Sequence, residues 1–173
     1  MSGGNLAQRD DELFDVVDAD DQVVRQARRV DVHRDRLWHR AIHVLVFSRD
    51  GAVFLQKRSR WKDSAPGCWD SSCSGHLDAG EDYDAAAVRE LGEEIGLRVT
   101  AAPERWLRLQ ACAETGWEFV WVYRLFHEGP FRLHPMEIER GEWFRRAEVD
   151  ALLLSEPSAF APAFRYLWAQ LPW

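Results

Sequence analysis

The sequence predicts a mixed α/β fold: one mixed sheet with helices packed on it. Three observations predict it. Short β-branched runs with hairpin signals recur along the chain. Segments 82–95 and 159–171 carry apolar residues at helical spacing. The 173 residues contain 46% hydrophobic and 29% charged residues, a globular balance with enough apolar material for one core. Length favours a single domain, expected over 13–173, after a flexible tail over 1–12 that is polar and carries Gly3-Gly4.

The elements follow in order. Leu13–Asp18 and Gln22–Arg25 flank the turn Asp20-Asp21 and predict a hairpin. Ala41–Ser48 is an apolar strand, Asp50-Gly51 a hairpin turn, and Ala52–Arg58 its partner. A loop rich in Ser, Gly, Pro and Trp covers 59–74. Asp82–Ile95 is a helix, with Asp82 and Asp84 at its positive end and Gly96 as its stop. Strands are expected at 105–113, 117–126 and 141–144, and helices at 148–154 and 159–171.

Composition excludes several classes. A net charge of −7 argues against a nucleic-acid binder, which needs a basic surface. No apolar run reaches 18 residues, so no membrane span is expected. The polar N-terminus lacks the apolar core of a signal peptide, and three cysteines give no disulfide framework. A cytoplasmic location is the default expectation. Cys68, Cys73 and His76 are too loosely spaced to predict zinc.

The informative segment is 75–97, GHLDAGEDYDAAAVRELGEEIGL. On a helical wheel Glu90, Glu93 and Glu94 fall on one side, while Ala87, Val88, Leu91 and Ile95 fall elsewhere and can dock on the sheet. Like charges at this spacing repel by a few tenths of a kcal/mol. A bound hard cation such as Mg²⁺ or Mn²⁺ relieves that repulsion. The segment fits G-x₅-E-x₇-R-E-U-x-E-E-x-G-U (U aliphatic) at Gly75, Glu81, Arg89, Glu90, Leu91, Glu93, Glu94, Gly96 and Leu97. Chance agreement anywhere in the chain is on the order of one in ten million.

This pattern resembles the Nudix box, and the strands around it suit the same family. The resemblance implies a Nudix-type α/β/α sandwich with an N-terminal hairpin and a C-terminal helix. It implies Mg²⁺ (or Mn²⁺) held by Glu90, Glu93 and Glu94. Glu81 would cap the helix or reach a metal through water. It further implies water-driven cleavage of a pyrophosphate bond in a small phosphorylated substrate, most plausibly a nucleoside di- or triphosphate. Arg89 would orient a carboxylate, and Gly75 and Gly80 would permit a tight loop. Glu93 on the helix or Glu137 in a later acidic loop, near Glu139, would take the proton from water.

Lys57 and Arg58 lie in a basic cluster with Arg60 and Lys62, either a solvated edge or a phosphate-holding patch. Trp61 and Trp69 flank this region and are candidates to stack a base. His39 and His43 share a strand face and are expected as structural histidines rather than ligands. Stretches 37–41, 54–59 and 66–70, with His39 and Gly75-His76, are also similar to the Nudix branch that contains type 1 isopentenyl-diphosphate isomerase. That enzyme carries a catalytic Cys immediately before its Gly-His pair. Here that place holds Ser74, with Cys73 one residue early, and only Glu118 lies near the expected acid pair. An isomerase-like enzyme and a non-catalytic nucleotide sensor are therefore the alternatives to a hydrolase.

Overall fold

The computed structural model describes residues 8–173, so part of the expected tail, 1–7, lies outside the described residues. Strands β1 (Leu13–Val17) and β2 (Val23–Arg28) form the expected antiparallel hairpin. Its tip is tied down: Asp21 accepts hydrogen bonds from Arg40 Nε (2.6 Å) and from the Tyr83 hydroxyl (2.9 Å). A short helix not expected from the sequence, α1 (Arg29–Arg34), follows. Residues 10 and 12 anchor its start, since their carbonyls accept from Val30 N and Arg29 N.

The main sheet is mixed. Its central strand β3 (His39–Phe47) runs antiparallel to β4 (Val53–Arg58) and parallel to β8 (Glu118–Phe126). Beyond β8 lies β7 (Glu104–Leu109), and β9 (Ile138–Phe144) pairs with β4. The strand order is β5-β4-β3-β8-β7, where β5 is Trp69–Asp70, with β6 (Cys73–His76) added on β3. Strand β5 arises inside the stretch 59–74 expected as loop, and β6 begins there and runs on to His76. Only two residues of β5 pair with β4, too few for a period-2 pattern to register in sequence.

Strand alternation builds two cores from β3. Ile42, Val44 and Val46 face α2 (Tyr83–Ile95), which docks Ala86, Ala87, Leu91 and Ile95. Ala41, Leu45 and Phe47 face the other layer, formed by α3 (Arg146–Ser155) and α4 (Pro162–Gln170) through Val149, Phe164, Leu167 and Trp168. This is the expected α/β/α sandwich. The last helix begins at Pro162 rather than 159, because a 3₁₀ turn at Pro157–Ala159 precedes it and proline suits the first helical position. Among the described residues no helix is long and apolar enough to cross a membrane.

Candidate active site

The sheet itself opens the site. Strands β3 and β4 pair only at Val46–Phe54 and Phe47–Val53. Past that point β3 pairs with β6 and β4 with β5, while β9 pairs along the whole of β4, and a cavity of about 700 Å³ lies beside the split. Along β6 the side chains alternate. Cys73 and Gly75 face α2, while Ser74 and His76 face the other way, opposite His43 and Ala41 of β3. The cavity thus has a carboxylate side and a histidine side.

The carboxylate side hangs on α2. Asp82 caps it by accepting from Ala85 N, and Gly96 ends it in the left-handed conformation. Glu94 is 3% exposed, whereas the Glu93 side chain is 61% exposed. Arg89 holds the region together: it donates to both oxygens of Glu81, to Glu90 and Glu93, and to the His76 carbonyl. Glu94 Oε2 accepts from Gln56 Nε2 (3.1 Å) and Ser74 N (3.0 Å). Lys62 bridges from the other wall, paired with Glu137 and 3.9 Å from Glu94 Oε1.

Burial raises the pKa of the Glu90 carboxyl, and the charge of Glu94 raises it further, against the pull of Arg89. Glu94 is raised as well, mainly by burial, with Lys62 opposing. Two buried carboxyls that resist ionisation fit a hard divalent cation, which would supply the charge that local residues leave uncompensated.

The histidine side was not foreseen. His33 from α1, His39 from β3 and His76 from β6 bring ligand nitrogens within 4.8 Å of one another. Glu118 Oε1 lies 2.9 Å from His76 Nε2 and 3.4 Å from His39 Nε2. His39 Nδ1 contacts the Leu37 carbonyl at 2.8 Å, and its buried Nε2 has no hydrogen-bond partner among the described residues. Phe14 stacks on His76 and His39. Burial and the neighbouring His76 and His39 lower His33 to about 4. Burial favours a neutral Glu118, but His76 and His39 outweigh it and hold the carboxylate well below its usual range. This donor set suits a borderline-soft metal such as Zn²⁺. The expected absence of a zinc-type set is therefore corrected. Cys68 and Cys73 take no part, and three distant histidines plus a carboxylate form the group.

The NUDIX domain model matches residues 37–166. The chain belongs to the Nudix family. It is 30% identical to isopentenyl-diphosphate Delta-isomerase 2 of Photorhabdus laumondii, over 90% of this chain and 89% of that protein. It is 31% identical to a Nudix hydrolase named orf19 of Rhodococcus erythropolis, over 94% and 93% of the two chains. The crystal structure of DR0079 from Deinococcus radiodurans shares the fold with a TM-score of 0.84 at 24% identity, covering 94% of this chain and all of that one.

Several expected residues fall at the cavity. Arg58, Lys62, Gly75, Arg89, Glu90, Glu93, Glu94 and Glu137 all line the cavity. Others do not. Lys57 alternates away from it along β4, with its Nζ 5.9 Å over the Trp69 ring. Trp69 packs edge-on against Phe144, and Trp61 sits against Arg60 with its ring partly exposed. Neither ring lines the cavity, which removes the expected base-stacking pair. Glu81 neither caps α2 nor lines the cavity, since both its oxygens bind Arg89 and one also accepts from Asp78 N.

One further expectation changes in its physics. Gly75 lies in β6, and its lack of a side chain serves a close approach rather than a tight turn. A Cβ there would sit 2.0 Å from Glu90 Oε1. Gly80, at φ +80, does occupy the left-handed conformation that favours glycine. Cys73 is fully buried in the α2 core while Ser74 lines the cavity, as the one-residue offset implied.

Proposed function

We propose that this Nudix protein is a Mg²⁺-dependent (or Mn²⁺-dependent) hydrolase of a pyrophosphate bond in a small nucleotide, most plausibly a nucleoside di- or triphosphate. The observation that carries this is the pairing of buried Glu94 with Glu90, which Arg89 braces and which is seated behind the bare Gly75. Glu90 and Glu94, with Glu93 at the rim, would hold the metal. Bound there, it would neutralise phosphate charge and make water a better nucleophile.

The chain's own groups do the rest. Arg58 and Lys62 line the cavity and offer positive charge to phosphate oxygens. Arg58 is held by Asp70 at 2.9 Å and the Ser64 carbonyl at 3.0 Å, so its fork is pre-oriented. Glu93 is exposed enough to take a proton and release it to solvent. Glu137 can serve only if Lys62, now its partner, moves to substrate. Glu81 serves the site through Arg89.

Incubation with Mg²⁺ and a panel of nucleoside di- and triphosphates, dinucleotides, ADP-ribose and sugar nucleotides, with phosphate and pyrophosphate measured separately, tests the assignment. No release from any member would end it. The histidine side favours one alternative, an isomerase acting on isopentenyl diphosphate. Against it, the residue facing the cavity before Gly75-His76 is Ser74, a far weaker acid than a thiol. Deuterium exchange into isopentenyl diphosphate would establish the isomerase instead. A nucleotide sensor would bind without release, and it has no need of the full carboxylate set.

A further inference from the structure

His43 belongs to neither metal-type cluster, yet it lines the cavity while being 5% exposed. It sits on β3 opposite Ser74, so its side chain shares the face of His76 rather than that of Glu90. Its Nδ1 faces the Ser71 hydroxyl, with which it makes a short hydrogen bond. The same hydroxyl lies 3.2 Å from Asp70 Oδ1, which also accepts from Ser71 N at 2.8 Å. Asp70 Oδ2 is held by Arg58 Nη1 at 2.9 Å. Ser71, Asp70 and His43 are all buried.

This chain has a direction. A serine hydroxyl has one proton to give, and a carboxylate braced by arginine is the stronger acceptor. Turned the other way, the serine oxygen would press its lone pairs against Asp70 Oδ1. Ser71 therefore donates to Asp70 and accepts from Nδ1–H of His43, and Asp70 Oδ1 at 3.7 Å from Nδ1 favours a proton there. Burial, opposed by Asp70 and Glu118 and aided by Arg58, lowers the pKa of the ring and keeps it neutral near pH 7. Nε2 is left as a bare acceptor, with no partner among the described residues.

We propose that His43 Nε2 is a specificity-determining acceptor that selects substrates bearing a hydroxyl on the group attached to the diphosphate. This deepens the hydrolase assignment and rests on it for the diphosphate. The walls around this half support a polar rather than a base-stacking contact. They come from the 113–116 turn and from Ala161, Pro162 and Ala163, while the one Phe ring of the lining, Phe14, is stacked on His76. A buried acceptor left unpaired by a deoxy analogue discriminates against it, because its desolvation is uncompensated.

Two measurements test this. Nitrogen-15 spectra of histidine-labelled protein at pH 7 read the tautomer directly. Nδ1–H on His43 is expected, with mixed tautomers in Ser71→Ala. An Nε2–H tautomer in the wild type overturns the proposal whatever the substrate. The second compares kcat/KM for ribonucleoside diphosphates, their 2′,3′-dideoxy counterparts and methyl diphosphate, with Mg²⁺. The wild type should favour the hydroxylated compounds by about tenfold or more. His43→Phe should flatten that preference, bringing the ratio between hydroxylated and dideoxy compounds close to one. An equal preference in wild type and His43→Phe, or none in the wild type, overturns it. If the wild type cleaves no member at all, the hydrolase assignment fails, and with it the selective role of His43, even where the tautomer is as expected.

Discussion

The two sides of the cavity were assembled by different kinds of information. On the carboxylate side, Glu90, Glu93, Glu94 and Arg89 lie within six residues, and one helix places them. On the histidine side, His33, His39, His76 and Glu118 come from four elements spread over 86 residues. A helix converts spacing into geometry, so the first side can be read from sequence. Only the parallel pairing of β3 with β8 brings His39 opposite Glu118, and only the unforeseen α1 delivers His33. The sides touch along β6, since the His76 carbonyl accepts from Arg89 while its ring belongs to the histidine group, and Ser74 N donates to Glu94.

Removing metal is the sharpest way to separate them. Nucleotide hydrolysis is expected to vanish in excess chelator and to return with Mg²⁺, because the proposed hard cation would be held by the carboxylates. Rescue by Zn²⁺ but not by Mg²⁺ would move the chemistry to the histidine side. Glu94→Gln should also lose activity, together with a change in stability, since the buried carboxylate accepts from both Gln56 and Ser74 N.

Proton transfer comes next. Loss of a positioned base costs about 10²–10⁴-fold. Glu93→Gln is expected to lower kcat within that range. Glu137→Gln is expected to act mainly on KM, because its visible partner is Lys62. If Glu137→Gln lowers kcat by the larger factor, the loop carboxylate is the base and Glu93 is not.

Gly75→Ala asks whether the sides share one backbone. The new methyl group would meet the Glu90 carboxylate at a distance that no real contact allows, so Glu90 must shift by an ångström or more. A displacement of that size costs on the order of 10² in rate. Normal activity in this variant would show that the Glu90 position is not critical.

The legible part of the molecule follows from the same contrast. The hairpins, β3, α2 with its Asp82 cap and its Gly96 stop, and the two-layer helix packing all follow from local pattern. Strands β5 and β6 did not, because their partners are 12 or more residues away and their own sequences are short and polar. Lys57 and Trp69 were misplaced for a related reason. Proximity in sequence to the box says nothing about which face of β4 or β5 a side chain takes, and strand alternation sends both away from the cavity.

Acidity separates the sides again, with a smaller effect. His33 folds with its pKa lowered to about 4 from 6.5, so the unfolded chain binds its proton first and stability is lost as pH falls from about 6.5 to about 4. Glu90 and Glu94 are raised, so their contribution is present below about 4.5 and is lost as pH rises through their folded values. Mg²⁺ displaces those protons. Its effect on the melting temperature should therefore be larger at pH 8 than at pH 6, as differential scanning fluorimetry would read. An equal Mg²⁺ shift at both values would mean that Glu90 and Glu94 are ionised without metal.

The smallest expected effect belongs to Cys73, and it closes the choice between hydrolase and isomerase. The thiol is fully buried among the residues that pack α2 on the sheet, and burial, with Glu94 and Glu90 nearby, pushes its pKa well above the usual thiol value. A thiol so placed is a poor proton donor and has no path to substrate on the histidine side, where Ser74 stands instead. Cys73→Ala removes one sulfur from a packed core and should cost about 1 kcal/mol of stability. Its Mg²⁺-dependent turnover should stay within about threefold of the wild type, because water attacking phosphorus needs no thiol. A loss of about 10² in turnover with an unchanged melting temperature would put the sulfur in the chemistry. Should the wild type also exchange the protons of isopentenyl diphosphate with solvent, and Cys73→Ala not, the carboxylate side would be left as scaffold and the histidine side as the working centre.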